Sequence, residues 1–157
     1  MAYAEGTEVA VYKSRLEIET LLHKHKASSI AVGFDGATGL AIVMCELSGR
    51  RLRFLMRQLD RAAFRKDHRG YLRSELNITK AFEGEERRTW RALLLTIKAK
   101  FESVESRIET FDEAFLANVV LPDGRTVAEV AVPQIVESYK TGRVAGPLLQ
   151  IGMGSPA

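Results

Sequence analysis

From about Gly84 to Glu109, apolar residues recur in steps of three and four, at Trp90, Leu93, Leu94, Ile97, Phe101, Val104 and Ile108. This spacing lays one stripe along roughly six turns and predicts a long amphipathic helix. Glu85 and Glu86 near its start, with Lys98 and Lys100 later, agree with the helix dipole. Upstream the period changes to two. Ser28 to Asp35 places Ile30, Val32 and Phe34 on one face, and Arg50 to about Leu55 sets Leu52, Phe54 and Met56 against Arg51, Arg53 and Arg57. Such alternation predicts strands with one face in the core. Between them Leu40 to Leu47 is nearly all apolar and reads as a central strand buried on both faces. Asp35-Gly36-Ala37-Thr38-Gly39 and Ser48-Gly49 supply hairpin turns, so the three strands form an antiparallel meander.

Capping signals place the remaining helices. Ser14 with Glu17 has the pattern of a capping box and predicts a helix from about Arg15 to His25, with Leu16, Ile18, Leu21 and Leu22 inward. Ahead of it, residues 1–12 read as an extended lead-in, with Glu8 to Tyr12 as an edge strand. Thr110 with Glu113 opens a short helix through about Asn118, and Thr126 with Glu129 opens another after the Leu121-Pro122-Asp123-Gly124 turn. Pro133 should break or kink that last helix, which ends at Gly142. The fold class is α+β: a three-stranded meander, an N-terminal helix, and a helical C-terminal half of one long and two shorter helices. Residues 1–142 read as a single domain, with a loose tail over 143–157.

Residues 58–82 have no clean period, and a long basic loop is expected at about 58–74, functional or mobile. Asp67-His68-Arg69-Gly70 is its turning point, and Tyr71-Leu72 its return toward the core.

Composition adds little until charge is located. The 157 residues are 46% hydrophobic and 27% charged, an ordinary globular balance, and the formal charge is only +3. Arg50 to Arg73, however, holds nine basic and two acidic residues, a net +7, whereas the rest holds 14 basic and 18 acidic. A single cysteine, Cys45, excludes an internal disulfide and fits a reducing cytoplasm. The N-terminus lacks the pattern of a signal peptide, and no apolar run reaches the ~20 residues that span a bilayer. Asn77-Ile78-Thr79 matches the glycosylation sequon, a coincidence without a secretory route.

Catalytic chemistry finds no foothold. Gly33, Gly36 and Gly39 lack the Lys-Ser/Thr of a phosphate loop, and His23 and His25 lack metal spacing. Cys45 sits in the most apolar strand and reads as a core thiol, Trp90 reads as core, and Ser103 and Ser106 have no triad around them. Acid pairs at helix starts are explained by the dipole. No enzymatic activity, metal or cofactor is expected.

The basic segment remains. Arg51, Arg53, Arg57, Arg61, Arg65, Lys66, Arg69 and Arg73 would contact phosphates, with Phe64 and Tyr71 (and His68) interleaved for base stacking. Alternatively the arginines pair with the acidic helices, or face an acidic protein partner.

The stretches Arg88-Thr89-Trp90-Arg91-Ala92-Leu93-Leu94-Leu95-Thr96-Ile97-Lys98-Ala99-Lys100, Phe111 to Phe115 and Leu121-Pro122-Asp123-Gly124-Arg125-Thr126-Val127 resemble small proteins carried by bacteriophages and prophages. The similarity is best over residues 80–140. That family has no established activity, so it transfers no site residues. It implies a host-cell cytoplasmic setting and a role in DNA replication or recombination, or in countering host defence. The expected function is therefore a non-enzymatic accessory protein binding nucleic acid, single-stranded DNA in particular. The alternative is an anti-defence factor that binds an acidic host defence protein or sequesters a phosphorylated nucleotide. No membrane partner is expected, and the long helix could cover the sheet or pair with a second copy as a homo-oligomer.

Overall fold

A computed structural model describes residues 9–35, 40–57, 59–144 and 146–148. The elements run α1 (Val11–Lys24), β1 (Ser28–Asp35), β2 (Leu40–Leu47), β3 (Arg50–Met56), a 3-10 turn (Arg61–Phe64), α2 (Glu75–Glu105), α3 (Phe111–Phe115), a second 3-10 turn (Leu116–Asn118) and α4 (Val127–Thr141). The fold is the expected α+β arrangement, with an antiparallel sheet of order β1-β2-β3. In the β2–β3 register Val43 lies opposite Phe54 and Cys45 opposite Leu52. Ser48 and Gly49, both at positive φ, close a tight hairpin between them. The turn expected at 36–39 and the side chain of Phe34 lie outside the described residues.

One sheet face makes the core. Val43, Cys45 and Leu47 of β2 and Leu52, Phe54 and Met56 of β3 are buried against Ile18 and Leu22 of α1, Trp90, Leu94, Ile97 and Phe101 of α2, and Phe115 of α3. The other face is more open: Ala31, Gly33, Glu46, Arg51 and Leu55 are exposed, and Ile42 and Met44 only half-buried. β2 is thus central but covered on one side, where its composition predicted burial on both. Val119 bridges to Leu52 and Val120 to Thr126, which widens the sheet beyond β3 and carries the chain to α4. Among the described residues no helix is long and apolar enough to cross a membrane.

Two helices begin elsewhere than the sequence suggested. α1 starts at Val11, with Ala10 at its N-cap, and Val11 and Tyr12 are helical rather than strand. Ser14 lies inside the helix at 0% exposure, because it occupies the inward side one turn before Ile18 and two before Leu22. Glu17, released from the expected capping box, receives hydrogen bonds from Arg91 of α2 at 3.1 Å and 3.2 Å. Leu16 consequently points outward and is exposed.

α2 begins nine residues earlier than its stripe indicates. The Asn77 N–H donates to the Ser74 side chain, and Ile78 is buried, but Leu76 is exposed, so the first turns carry too few inward apolar residues to show a period. At the other end α2 stops at Glu105, which leaves Ile108 beyond the helix and exposed.

The boxes at Thr110–Glu113 and Thr126–Glu129 both form, and Gly142 closes α4 at φ 67°. Pro133 does not interrupt α4. It is exposed, where the Glu129 carbonyl that its missing N–H leaves free can be hydrated.

Candidate nucleic-acid interface

The segment Arg50 to Arg73 is not one continuous patch. Arg51 and Arg57 stand at opposite ends of β3, about 20 Å apart at ~3.3 Å per residue. Near the first end, Arg50 Nε lies 3.3 Å from the Asp112 carboxylate, and Arg51 is exposed opposite Glu46. Lys26, Arg50 and Arg51 line a polar groove of about 690 Å³ together with the β2–β3 turn.

Arg53, in mid-strand, is committed to the fold. Its guanidinium donates to the Gly124 carbonyl at 3.0 Å and to Glu129 Oε2 at 2.5 Å, tying the start of α4 to the open sheet face. The Asn118 side-chain amide donates to the Arg53 carbonyl at 3.2 Å, so the whole residue is a joint.

Beyond β3 the chain folds back on the first turns of α2. Asp60 accepts from the Ala62 N–H and opens the 3-10 turn Arg61–Phe64. Phe64 meets Phe82 of α2 edge-to-face, ring centres 5.9 Å apart, and is half-buried. Arg61 donates to Thr79 Oγ1 at 2.8 Å and to Glu75 at 3.4 Å.

Residues 65–73 then form a miniature hairpin. The Arg73 N–H donates to the Arg65 carbonyl, the Asp67 N–H to the Tyr71 carbonyl, and Lys66 bridges to Leu72. The Asp67 carboxylate organises the tip by accepting from the N–H groups of Arg69 and Tyr71, both within 2.9 Å. The Tyr71 bond foremost holds the Asp67 carboxyl below its usual range, with the Arg69 bond and the charges of His68 and Arg73 adding to it against a smaller opposing effect of burial. Gly70 turns the chain at φ 88°. Arg73 folds inward and donates to the carbonyls of Phe64 and Lys66 at 3.1 Å and 2.8 Å.

Of the ten residues singled out from sequence, Arg53, Phe64, Arg61 and Arg73 therefore hold the structure together. Arg51, Arg57, Arg65, Lys66, Arg69 and Tyr71 are exposed, and among the described residues no ion pair engages these five cations. Tyr71 is 71% and Leu72 79% exposed, so the pair does not return to the core as the sequence suggested. The hairpin is held by hydrogen bonds among its own residues and leaves these side chains in water.

Sequence reasoning missed the residues that join the segment from afar. Lys26 comes to the groove at one end of β3, and Arg15 and Glu86 share a cavity with Arg57 at the other. Nothing in their local sequence marks them. Cys45 is buried, and burial pushes its thiol up to about 11, an inert group. Among the described residues no group of three or more His, Cys, Asp or Glu side chains is placed to hold a metal ion. No family model matches the chain, and no curated protein or solved structure does so either.

Proposed function

We propose that this protein binds nucleic acid, single-stranded DNA in particular, as a non-enzymatic accessory factor of the bacteriophage type. One observation carries the reading: the 65–73 hairpin is ordered by its own hydrogen bonds, yet Arg65, Lys66, Arg69 and Tyr71 are exposed on it with no side-chain partner among the described residues. Cations held this way release counterions when they meet phosphates, at no cost in broken ion pairs. Tyr71 beside them offers a ring for an unpaired base, worth about 1–3 kcal/mol. Arg57 extends the positive surface back to the sheet.

A fluorescence-anisotropy titration with a labelled single-stranded oligonucleotide across salt concentrations tests this. Binding should weaken steadily with salt, and the triple substitution Arg65→Glu, Lys66→Glu, Arg69→Glu should flatten the log–log slope by about 2, at ~0.7 per phosphate lost. Absence of binding at low salt, or binding without a slope, would overturn the proposal.

A second reading is favoured by the groove of about 690 Å³ at the other end of β3, where Lys26, Arg50 and Arg51 converge. It suits an acidic host protein or a phosphorylated nucleotide, as an anti-defence factor would require. Charge reversal at Lys26 and Arg51 should abolish that capture and leave the salt slope for DNA unchanged.

A further inference from the structure

A cavity of about 280 Å³ opens between α1, α2 and the end of the sheet that leads into the basic loop. Met56, Phe82 and Trp90 supply its apolar walls, and Arg15, Arg57 and Glu86 its polar groups. The volume falls just below the ~300 Å³ at which pockets take drug-sized ligands, so one flat ring system suits it better than a larger molecule. Apolar and aromatic walls favour such a ring. The Arg15 guanidinium lies over the Trp90 ring, 5.3 Å from its centre, and donates to the Val32 carbonyl at 3.5 Å, while Arg57 is exposed, so the lining carries two positive charges. Glu86 is half-buried, and no hydrogen bond or ion pair engages it among the described residues. It therefore offers an acceptor to an amino group on the ring.

A planar heteroaromatic ring with an amino group and an attached anionic group matches this set on all three counts. We propose that the cavity receives one amino-bearing nucleobase, its phosphate held at Arg15 and Arg57. The proposal rests on the nucleic-acid reading and deepens it. The cavity and the basic loop are physically joined, because Phe82 forms a wall of the one while its ring packs on Phe64 of the other. Arg57, an exposed cation, lines the same cavity. The same chemistry could also arrive as a free nucleotide.

Trp90 is the only tryptophan and is 6% exposed, so its emission reports on this cavity. The experiment titrates the full chain with oligo(dC), oligo(dT), an abasic strand of equal length, and dCMP, following both anisotropy and Trp90 emission. Oligo(dC) should quench Trp90 and bind at least about 5-fold more tightly than the abasic strand, the lower limit for one stacked base. Oligo(dT), which has no amino group, should bind less tightly than oligo(dC). Glu86→Ala should erase that dC-over-dT preference without changing the salt slope.

Quenching by dCMP as well as by oligo(dC) places the same chemistry on a free nucleotide and supports the cavity. If dCMP quenches and no oligonucleotide binds by anisotropy, the cavity stands as a nucleotide site while the strand-binding reading falls. Equal, salt-dependent binding of oligo(dC) and oligo(dT) with unchanged emission removes the cavity proposal and leaves the loop reading intact. No binding and no quenching by any of them removes both.

Discussion

Ser14 shows how a residue's neighbours override its own preference. Followed by Glu17, it has the pattern of an N-cap, yet it is fully buried within α1 and its hydroxyl has no hydrogen-bond partner. The two placements give opposite signs on substitution. An N-cap serine lost to alanine costs about 1 kcal/mol. A buried, unpartnered hydroxyl inside a helix is a liability, and alanine is the better helix former there. Ser14→Ala is therefore expected to stabilise the protein by roughly 0.5–1.5 kcal/mol, read as an increased urea midpoint. Destabilisation of about 1 kcal/mol would return Ser14 to the cap. Cys45 offers a second residue-scale test. A thiol reagent should modify it slowly in the native protein at neutral pH and rapidly in denaturant, since burial disfavours the thiolate.

At the scale of elements, α4 is held mainly at its beginning. Val127 and Val130 are buried, the Thr126–Glu129 box closes the first turn, and Glu129 also takes Arg53 from the sheet. Farther along, Val132, Ile135, Val136 and Tyr139 are exposed. Thr126→Ala should cost about 1 kcal/mol through the lost cap. A double-mutant cycle of Arg53→Met with Glu129→Gln should give a coupling of about 1 kcal/mol, modest because both partners are partly in water. Arg53→Met should also leave oligonucleotide affinity within about twofold, since its guanidinium is already spent within the fold. A large loss of affinity from Arg53→Met, with unchanged stability, would show instead that this side chain is free to meet a ligand.

Across the whole molecule, shifted carboxylates and the core thiol set limits at both ends of the pH scale. Glu85, held down chiefly by its hydrogen bond from Arg88, and Glu113, held down by the Thr110 backbone and hydroxyl, ionise below the ordinary 4.5. Their contribution is present above that value and is lost as the pH falls through the folded-state range. The same sign applies to Asp67 and Asp123, whose usual value is 3.8. Cys45 behaves oppositely: from about 9.0 the unfolded thiol ionises while the folded one stays protonated to about 11, so stability declines between the two. Urea denaturation at stepped pH should show both declines, and Cys45→Ala should flatten only the alkaline one.

The local terms were strong enough to be read directly from the chain. A period of two or of 3.6, a box of Thr and Glu, or a Gly at a helix end acts within a few residues, and the meander, the 84–105 part of α2, α3 and α4 follow from such signals. What tertiary structure alone decided was how α1 is turned toward the core, where α2 begins, and that only one face of β2 is covered. It buried Ser14, exposed Leu16, and carried α2 back to Glu75 over turns with little periodicity. It also divided the arginines. Charge is visible in sequence, but whether a guanidinium faces water or a carboxylate 76 residues away, as Arg53 does, depends on a contact that no local pattern encodes. The +7 segment became two surfaces at opposite ends of one strand, one beside a polar groove and the other beside an apolar cavity.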